Sequence, residues 1–147
     1  MKPVYAILFG GSASTSWMGE AALGALRIFS GLALALAHGW GKLPVSADFV
    51  QFVARMGFPL PAFFAWSAAL SEFVGGLLLA AGLCTRPAAF FVAVTMSVAA
   101  FIVHADDPFV RKEPALLFLM VALMFLFHGA GRVSVDALIR RLARLGR

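Results

Sequence analysis

The chain has 147 residues, enough for one domain, and 62% of them are hydrophobic while only 13% are charged. Soluble domains carry about 25% charged residues. The composition, with a mean hydropathy of +0.93, therefore excludes an ordinary soluble protein and indicates a membrane protein. The net charge of +5 comes from basic residues outside the apolar stretches, which indicates contact with anionic lipid head groups and makes nucleic acid a poor partner. Cys84 is the only cysteine, so this chain alone has no internal disulfide, CxxC redox pair or cysteine-based metal cage.

Four apolar stretches predict membrane-spanning helices, since a helix crosses a bilayer with roughly 20 apolar residues. The predicted spans are residues 21–40, 60–83, 87–104 and 114–128. Residues 1–19 contain an apolar run too short for a signal peptide, so they predict a retained tail or a short interfacial segment. The fold class that follows is an all-α integral membrane four-helix bundle in a single domain, 1–147.

Two further segments predict short interfacial amphipathic helices. In residues 45–56 the apolar side chains recur with helical spacing, and Ser46 is placed to cap the helix. Ser134 is placed to cap a second such helix, 134–146, with an apolar stripe and a basic margin. That margin consists of Arg140, Arg141, Arg144 and Arg147. The second helix therefore predicts binding to a leaflet that contains anionic lipids.

The basic residues also predict the orientation. Seven of them (Lys2, Arg86, Arg132 and the four terminal arginines) lie on one side of the predicted spans. Four (Lys42, Arg55, Arg111 and Lys112) lie on the other side, together with the acidic residues Asp48, Asp106, Asp107 and Glu113. The richer side faces the cytoplasm under the positive-inside rule, so both termini are predicted to be cytoplasmic.

Glu72 lies near the middle of the second span and is its only ionisable residue. A lipid-facing carboxylate at that depth costs about 2.5–3.5 kcal/mol even on lenient insertion scales. Small residues recur every four positions beside it (Ala68, Gly76 and Ala80) and in the first span (Gly31, Ala35 and Gly39), which lets helices approach closely. Glu72 is therefore predicted to point into the bundle, either as a structural ion pair or protonated carboxyl, or as part of a functional site.

Arg27, in the first span, is the predicted partner of Glu72. Counting from the cytoplasmic ends of the two predicted spans, the residues differ in depth by roughly 7 Å, which an arginine side chain can bridge. Arg27 and His38 are eleven residues apart and are expected on one helix face at 100° per residue.

His38 and His104 lie near the opposite boundary, with Lys42 close in depth. Together with Arg27 and Glu72 they are the candidate residues for a polar-substrate or quinone pocket. A bis-histidine haem is a less favoured alternative, and the sequence contains no metal-binding motif. The Gly-rich phosphate loop, HExxH and the nucleophile elbow are absent, so catalytic residues are unknown and enzymatic activity stays open.

Four motifs in this order resemble the DoxX family of small bacterial membrane proteins. They are Arg27-x-x-x-Gly31, His38-Gly39-x-x-Lys42-Leu43, Glu72-x-x-Gly75-Gly76-x-Leu78 and Gly82-Leu83-x-Thr85-Arg86-x-Ala88-Ala89. The resemblance covers about residues 23–131 and implies a four-helix protein of the bacterial inner membrane. The related DoxD branch is a subunit of an archaeal thiosulfate:quinone oxidoreductase, and some mycobacterial members are linked with superoxide dismutase and a thiosulfate sulfurtransferase.

The resemblance thus implies an accessory protein or subunit of a quinone- or thiol-linked redox system, in oxidative-stress defence or sulfur metabolism. A quinone is the ligand it favours, and the expected partners are the bilayer, a redox protein or further copies of the chain. The alternative is a non-enzymatic protein: a small transporter, a lipid-binding module or a membrane assembly factor.

Overall fold

The computed structural model describes residues 16–145, and this part of the chain is helical with no β-strand. The helices are α1 (Trp17–Ala33), α2 (Ala47–Arg55), α3 (Pro61–Ala81), α4 (Thr85–Val98), α5 (Phe109–His128) and α6 (Val135–Leu145). Two π-helical segments, Leu34–Gly39 and Ala99–Val103, continue α1 and α4, and a short 3-10 turn, Trp40–Lys42, follows the first. The predicted N-terminal tail or interfacial segment lies outside the described residues, apart from its last four, residues 16–19, of which the last three begin α1.

Three helices are long and apolar enough to cross a membrane: Trp17–Lys42, Pro61–Ala81 and Thr85–Val103. The all-helical membrane architecture is thereby confirmed. α5 is also 20 residues long, but it begins at Phe109 rather than 114 and so includes three charged residues near its start, Arg111, Lys112 and Glu113. A fourth crossing by α5, and with it the four-helix bundle, stays a prediction.

α1 and α3 run antiparallel and touch through their backbones. A Cβ atom added to Gly31 would lie 2.5 Å from the Gly76 carbonyl oxygen, and one added to Gly39 would lie 2.5 Å from the Phe73 nitrogen. Only glycine permits this approach, as the four-residue spacing of small residues predicted. Glu72, 3% exposed, points into the bundle, which confirms that prediction as well.

The apolar core lies mainly between α4 and α5, with Leu79 of α3 packed against it. Its buried members are small or medium-sized side chains on one face of each helix, with Phe125 the largest. Many large apolar side chains point outward instead, including Phe29, Leu117 and Phe127. Outward-facing apolar side chains around helices of this length fit contact with lipid.

Both predicted serine caps are present. The Ser46 hydroxyl accepts a hydrogen bond from the Phe49 N–H at 3.2 Å, and the Ser134 hydroxyl accepts one from the Ala137 N–H at 3.1 Å. Gly39 packs against Glu72 and Phe73, and the helical segment that α1 begins ends at Lys42, three residues later. The first turns of α3 therefore extend beyond that segment. α2 packs against α3 and covers these turns.

Candidate functional site

A cavity of about 550 Å³ lies between α2, the first half of α3 and the end of α4. Its walls are largely apolar and rich in phenylalanine. The lining side chains are Phe49, Phe52, Val53, Met56 and Phe58; Phe63, Phe64, Ser67, Ala68 and Ser71; Phe91, Val94, Thr95, Val98, Ala99 and Val103; and the ionisable Lys42, Glu72 and His104. A cavity of this size with few polar groups is typical of small-molecule binding sites.

The principal charged group of the cavity is an ion pair between Lys42 and Glu72. The Lys42 Nζ lies 2.5 Å from both carboxylate oxygens of Glu72, and the carboxylate is almost fully buried while the lysine side chain is about one third exposed. The approach of Gly39 to the backbone of Glu72 and Phe73 places the following turn, and so Lys42, directly above the carboxylate. The lysine thereby compensates the cost of a charge at this depth.

Ser71 adds a second polar group beside the pair. It lines the cavity, it is buried, and its hydroxyl has no hydrogen-bond partner among residues 16–145. Buried hydroxyls normally have a partner, because leaving one unpaired costs about 1–3 kcal/mol. The Ser71 hydroxyl is therefore a candidate to bind the polar end of a ligand next to Glu72.

His104 lines the cavity at the end of α4. Its Nδ1 lies 2.7 Å from the Asp107 Oδ2, and Asp107 also accepts a hydrogen bond from Arg111 at 3.2 Å. The hydrogen bond from His104, helped by the charge of Arg111, lowers the pKa of Asp107 below its ordinary value. Asp107 thereby fixes the orientation of the imidazole at the rim of the cavity.

Both π-helical segments are close to this cavity. Leu34–Gly39 ends just before the turn that carries Lys42, and Ala99–Val103 contributes Ala99 and Val103 to the wall. π-helical turns are rare and are frequently found at functional sites, because they re-aim side chains that a regular α-helix would place elsewhere. Their position supports a binding role for this cavity.

The structure brings together three of the five predicted site residues. Lys42, Glu72 and His104 line the cavity, whereas Arg27 and His38 do not. The His38 ring packs edge-on against Phe118 of α5, with ring centroids 5.4 Å apart. His38 belongs to the π-helical segment Leu34–Gly39, whose residues turn by less than the 100° assumed for an α-helix, and its shared face with Arg27 stays a prediction.

The predicted ion pair between Arg27 and Glu72 is absent from the structure. Arg27 lies level with Gly82, at the other end of α3, where an added Cβ would lie 2.7 Å from the arginine Cζ. Ten helical residues separate Gly82 from Glu72, which is roughly 15 Å along the axis. The backbone contacts of the glycines determine how α1 and α3 are aligned along their axes. The prediction estimated this alignment from the ends of the hydrophobic stretches, which do not determine it.

Arg27 instead joins α1 to the segment that follows α5. Its guanidinium donates hydrogen bonds to the carbonyl oxygen of Ala130 and, at 2.8 Å, to that of Val133. A planar guanidinium suits two such acceptors at once. Arg27 therefore holds the C-terminal segment in place, which is a structural role.

Two buried carboxylates complete this contact region. Asp136 accepts hydrogen bonds from the N–H groups of Cys84 and Thr85, at 2.9 and 3.1 Å, and so caps the start of α4 from a neighbouring helix. Glu20 accepts one from the Arg132 N–H at 2.6 Å. Neither residue was predicted; their acidic character in otherwise apolar or basic surroundings is the only signal the sequence contains.

The aromatic walls of the cavity were not predicted from the sequence. α2, whose place on the membrane surface stays a prediction, contributes Phe49, Phe52 and the buried Val53 to the cavity. The available signal was the density of phenylalanine on both sides of residues 57–61. Among residues 16–145, no group of three or more His, Cys, Asp or Glu side chains is arranged to bind a metal ion.

Comparison with known proteins agrees with this architecture. The sequence model of the DoxX family matches residues 22–105, more than half of the chain. The chain belongs to the DoxX family. The match includes Lys42, Glu72 and His104, so the ionisable residues of the cavity lie within the DoxX region, while α5 and α6 lie beyond it.

Several curated proteins are similar to this DoxX protein. Inner membrane protein YqjF of Escherichia coli (strain K12) is 31% identical over 114 residues, which cover 74% of this chain and 85% of that protein. A protein of Bacillus subtilis (strain 168) named "Putative oxidoreductase CatD" is 29% identical over 115 residues, covering 78% and 84%. A Haemophilus influenzae protein is 40% identical over 76 residues, covering 47% and 57%. No solved structure matches the chain.

Proposed function

We propose that this DoxX protein binds a membrane-soluble quinone in the cavity between α2, α3 and α4, as a subunit or accessory protein of a membrane redox system. The observation that carries the proposal is the Lys42–Glu72 pair in the wall of an aromatic cavity of about 550 Å³. A quinone has the matching two-part chemistry, a ring with carbonyl oxygens and an apolar tail. The similarity to a protein named as an oxidoreductase supports the redox part.

The residues of the cavity suit each part of such a ligand. Lys42 can donate a hydrogen bond to a ring carbonyl, and the Ser71 hydroxyl can donate another nearby. The phenylalanine side chains can stack on the ring and contact the tail. If a partner of the redox system takes the two electrons of a reduced ring, Glu72, already paired with a lysine, can accept one of the two protons that the ring releases.

The exposed edge of the cavity indicates how a quinone would enter. Phe63 on α3 and Phe91 on α4 line the cavity and are about two-thirds exposed on the outer surface. Both belong to helices long and apolar enough to cross the membrane, so their exposed faces fit contact with lipid. A quinone dissolved in the bilayer could then pass between them with its tail still in the acyl chains.

A lipid-binding module is the second candidate, and it is favoured by the small number of polar groups in an otherwise apolar cavity. An acyl chain would fill the phenylalanine-lined part, with a lipid carbonyl near Lys42. The two candidates differ in what must be bound, a redox-active ring or an ordinary lipid.

Ligand identification distinguishes these functions. The protein is purified in mild detergent, its bound lipids are extracted, and quinones are measured by mass spectrometry and by the absorbance change on borohydride reduction. We expect a quinone to co-purify in amounts comparable to the protein. Acyl lipids without quinone would contradict the proposal and support the lipid-binding module.

Cavity variants then link the ligand to this site. Ala68→Phe fills the cavity and should abolish quinone retention, whereas Ala62→Phe, on the exposed start of α3, should retain it. Lys42→Met and Ser71→Ala should each weaken binding of an added short-chain quinone, while His38→Gln, outside the cavity, should not. Equal binding by Ala68→Phe and the native protein would exclude this cavity.

A further inference from the structure

A second cavity, of about 260 Å³, lies beside α6, far from the proposed quinone site. It is lined by Arg132, Ala137, Arg140, Arg141 and Arg144. Because the Asp136 N–H donates to the Gly82 carbonyl oxygen at 2.9 Å, α6 lies at the C-terminal end of α3. The Lys42–Glu72 pair lies near the middle of α3, ten residues before Gly82. The two cavities are therefore separate sites.

Four of the five side chains that line this second cavity are arginines, and none is acidic. The buried acids nearby accept backbone hydrogen bonds: Asp136 from the N–H groups of Cys84 and Thr85, and Glu20 from the Arg132 N–H. Arg140 also donates to the Gly131 carbonyl oxygen at 3.4 Å, which holds that guanidinium against the wall. A concave group of guanidinium side chains is suited to a phosphate, whose oxygens accept paired N–H bonds.

The surface next to the cavity is apolar. Val135, Leu138, Leu142 and Leu145 form one stripe along α6, and all four are exposed. A soluble phosphate compound would leave this stripe in contact with water, while a phospholipid would cover it with acyl chains and place its phosphate among the arginines. Basic pockets at the ends of membrane helices are known to suit anionic lipid head groups.

We propose that the arginine-lined cavity binds the phosphate head group of an anionic phospholipid, with the acyl chains against the apolar stripe of α6. The site lies outside residues 22–105, the region matched by the DoxX family, and it does not depend on the proposed quinone function. It would anchor α6 at the membrane surface. Through Asp136, α6 is in turn joined to the start of α4.

The test uses the full chain in phosphatidylcholine nanodiscs, with phosphatidylglycerol added in increasing amounts and bound lipid counted by native mass spectrometry. We expect Arg141→Gln or Arg144→Gln to weaken phosphatidylglycerol binding about fivefold, which corresponds to about 1 kcal/mol for each charge. Both changes together should weaken it about 25-fold if they act independently. Arg55→Gln removes the same charge from an exposed position on α2 and should change binding less than about twofold.

A second pair of measurements separates head-group recognition from general attraction and from soluble phosphate. Arg141→Lys with Arg144→Lys keeps the charge but loses the paired N–H geometry, so it should bind more weakly than the native protein; it also serves if the Gln variants fail to fold. Inorganic phosphate at millimolar concentration should not displace the lipid. The proposal would be overturned if Arg55→Gln weakened phosphatidylglycerol binding as much as the Arg141 and Arg144 variants, or if those variants did not weaken it. Full displacement of the lipid by inorganic phosphate would overturn it as well.

Discussion

Lys42 and Glu72 form a contact that joins the end of the α1 segment to the middle of α3, with the lysine Nζ 2.5 Å from both carboxylate oxygens. The carboxylate is buried, so removal of the lysine leaves an uncompensated charge in surroundings of low dielectric. This pair, rather than a pair between Arg27 and Glu72, is the electrostatic centre of the candidate site.

The first prediction is a double-mutant cycle on this pair. Lys42→Met should lower the free energy of unfolding by about 3 kcal/mol, near the lower end for a buried pair because the lysine is partly exposed. Glu72→Gln should also destabilise, and the double variant should recover much of the loss. Thermal unfolding in detergent gives the coupling free energy.

The matched control for that cycle combines Arg27→Met with Glu72→Gln. Arg27 binds the carbonyl oxygens of Ala130 and Val133, far from Glu72, so these two losses should add within about 0.5 kcal/mol. Strong coupling between Arg27 and Glu72, with additivity between Lys42 and Glu72, would contradict the arrangement described above.

The second prediction concerns two glycines that are close in sequence but differ in packing. A Cβ on Gly39 would lie 2.5 Å from the Phe73 nitrogen, whereas one on Gly41 would meet nothing within 4 Å. Gly39→Ala should therefore push α1 from α3, destabilise the protein by about 1–3 kcal/mol and displace Lys42 from Glu72. Gly41→Ala should leave thermal stability and quinone binding unchanged; similar losses in both variants would refute the close packing.

A third prediction follows from the lowered pKa of Asp107. The hydrogen bond from His104 stabilises the carboxylate, so the folded-state pKa lies below the ordinary value of 3.8. Its contribution to stability is present above that ordinary value and is lost as the pH falls through the lower, folded-state pKa. Asp107→Asn should therefore lower the thermal midpoint at neutral pH, and the difference from the native protein should shrink in strong acid.

Asp106→Asn is the control for this pH dependence, because it makes the same change of charge at the neighbouring, exposed position. The thermal midpoint of Asp106→Asn should not fall by the amount attributed to the Asp107–His104 hydrogen bond. Midpoints measured by circular dichroism from neutral pH down to about pH 2 follow the difference into strong acid, below the ordinary pKa of Asp107. A deficit in Asp107→Asn that grows as the pH falls would have the wrong sign for this account.

The fourth prediction concerns orientation and the fourth crossing together. The seven-to-four distribution of basic residues predicts cytoplasmic termini. A periplasm-specific reporter fused after Asp106, between α4 and α5, should be active, and the same reporter at the C-terminus should be silent. Activity at both positions would show that α5 does not cross the membrane, and the reverse pattern would invert the orientation.

Much of the architecture could be predicted from local sequence. Composition and apolar stretches indicate helices in a membrane, Ser46 and Ser134 cap two helices, and the glycines of α1 and α3 mark a close contact. Each of these features depends on residues near one another in the chain or on a simple periodicity. The ordered motifs from Arg27 to Ala89 likewise sufficed to predict the DoxX family, which the family match confirms.

The tertiary structure alone decided which of these residues meet. Helical periodicity leaves the sliding of α1 along α3 undetermined, and the glycine contacts fix it so that Lys42, instead of Arg27, reaches Glu72. His38 packs against Phe118 outside the cavity, and α2 packs against α3 and contributes part of the cavity walls. Register, helix phase and the path of a connecting segment depend on contacts between residues far apart in the chain, because backbone proximity and burial are properties of the packed helices together.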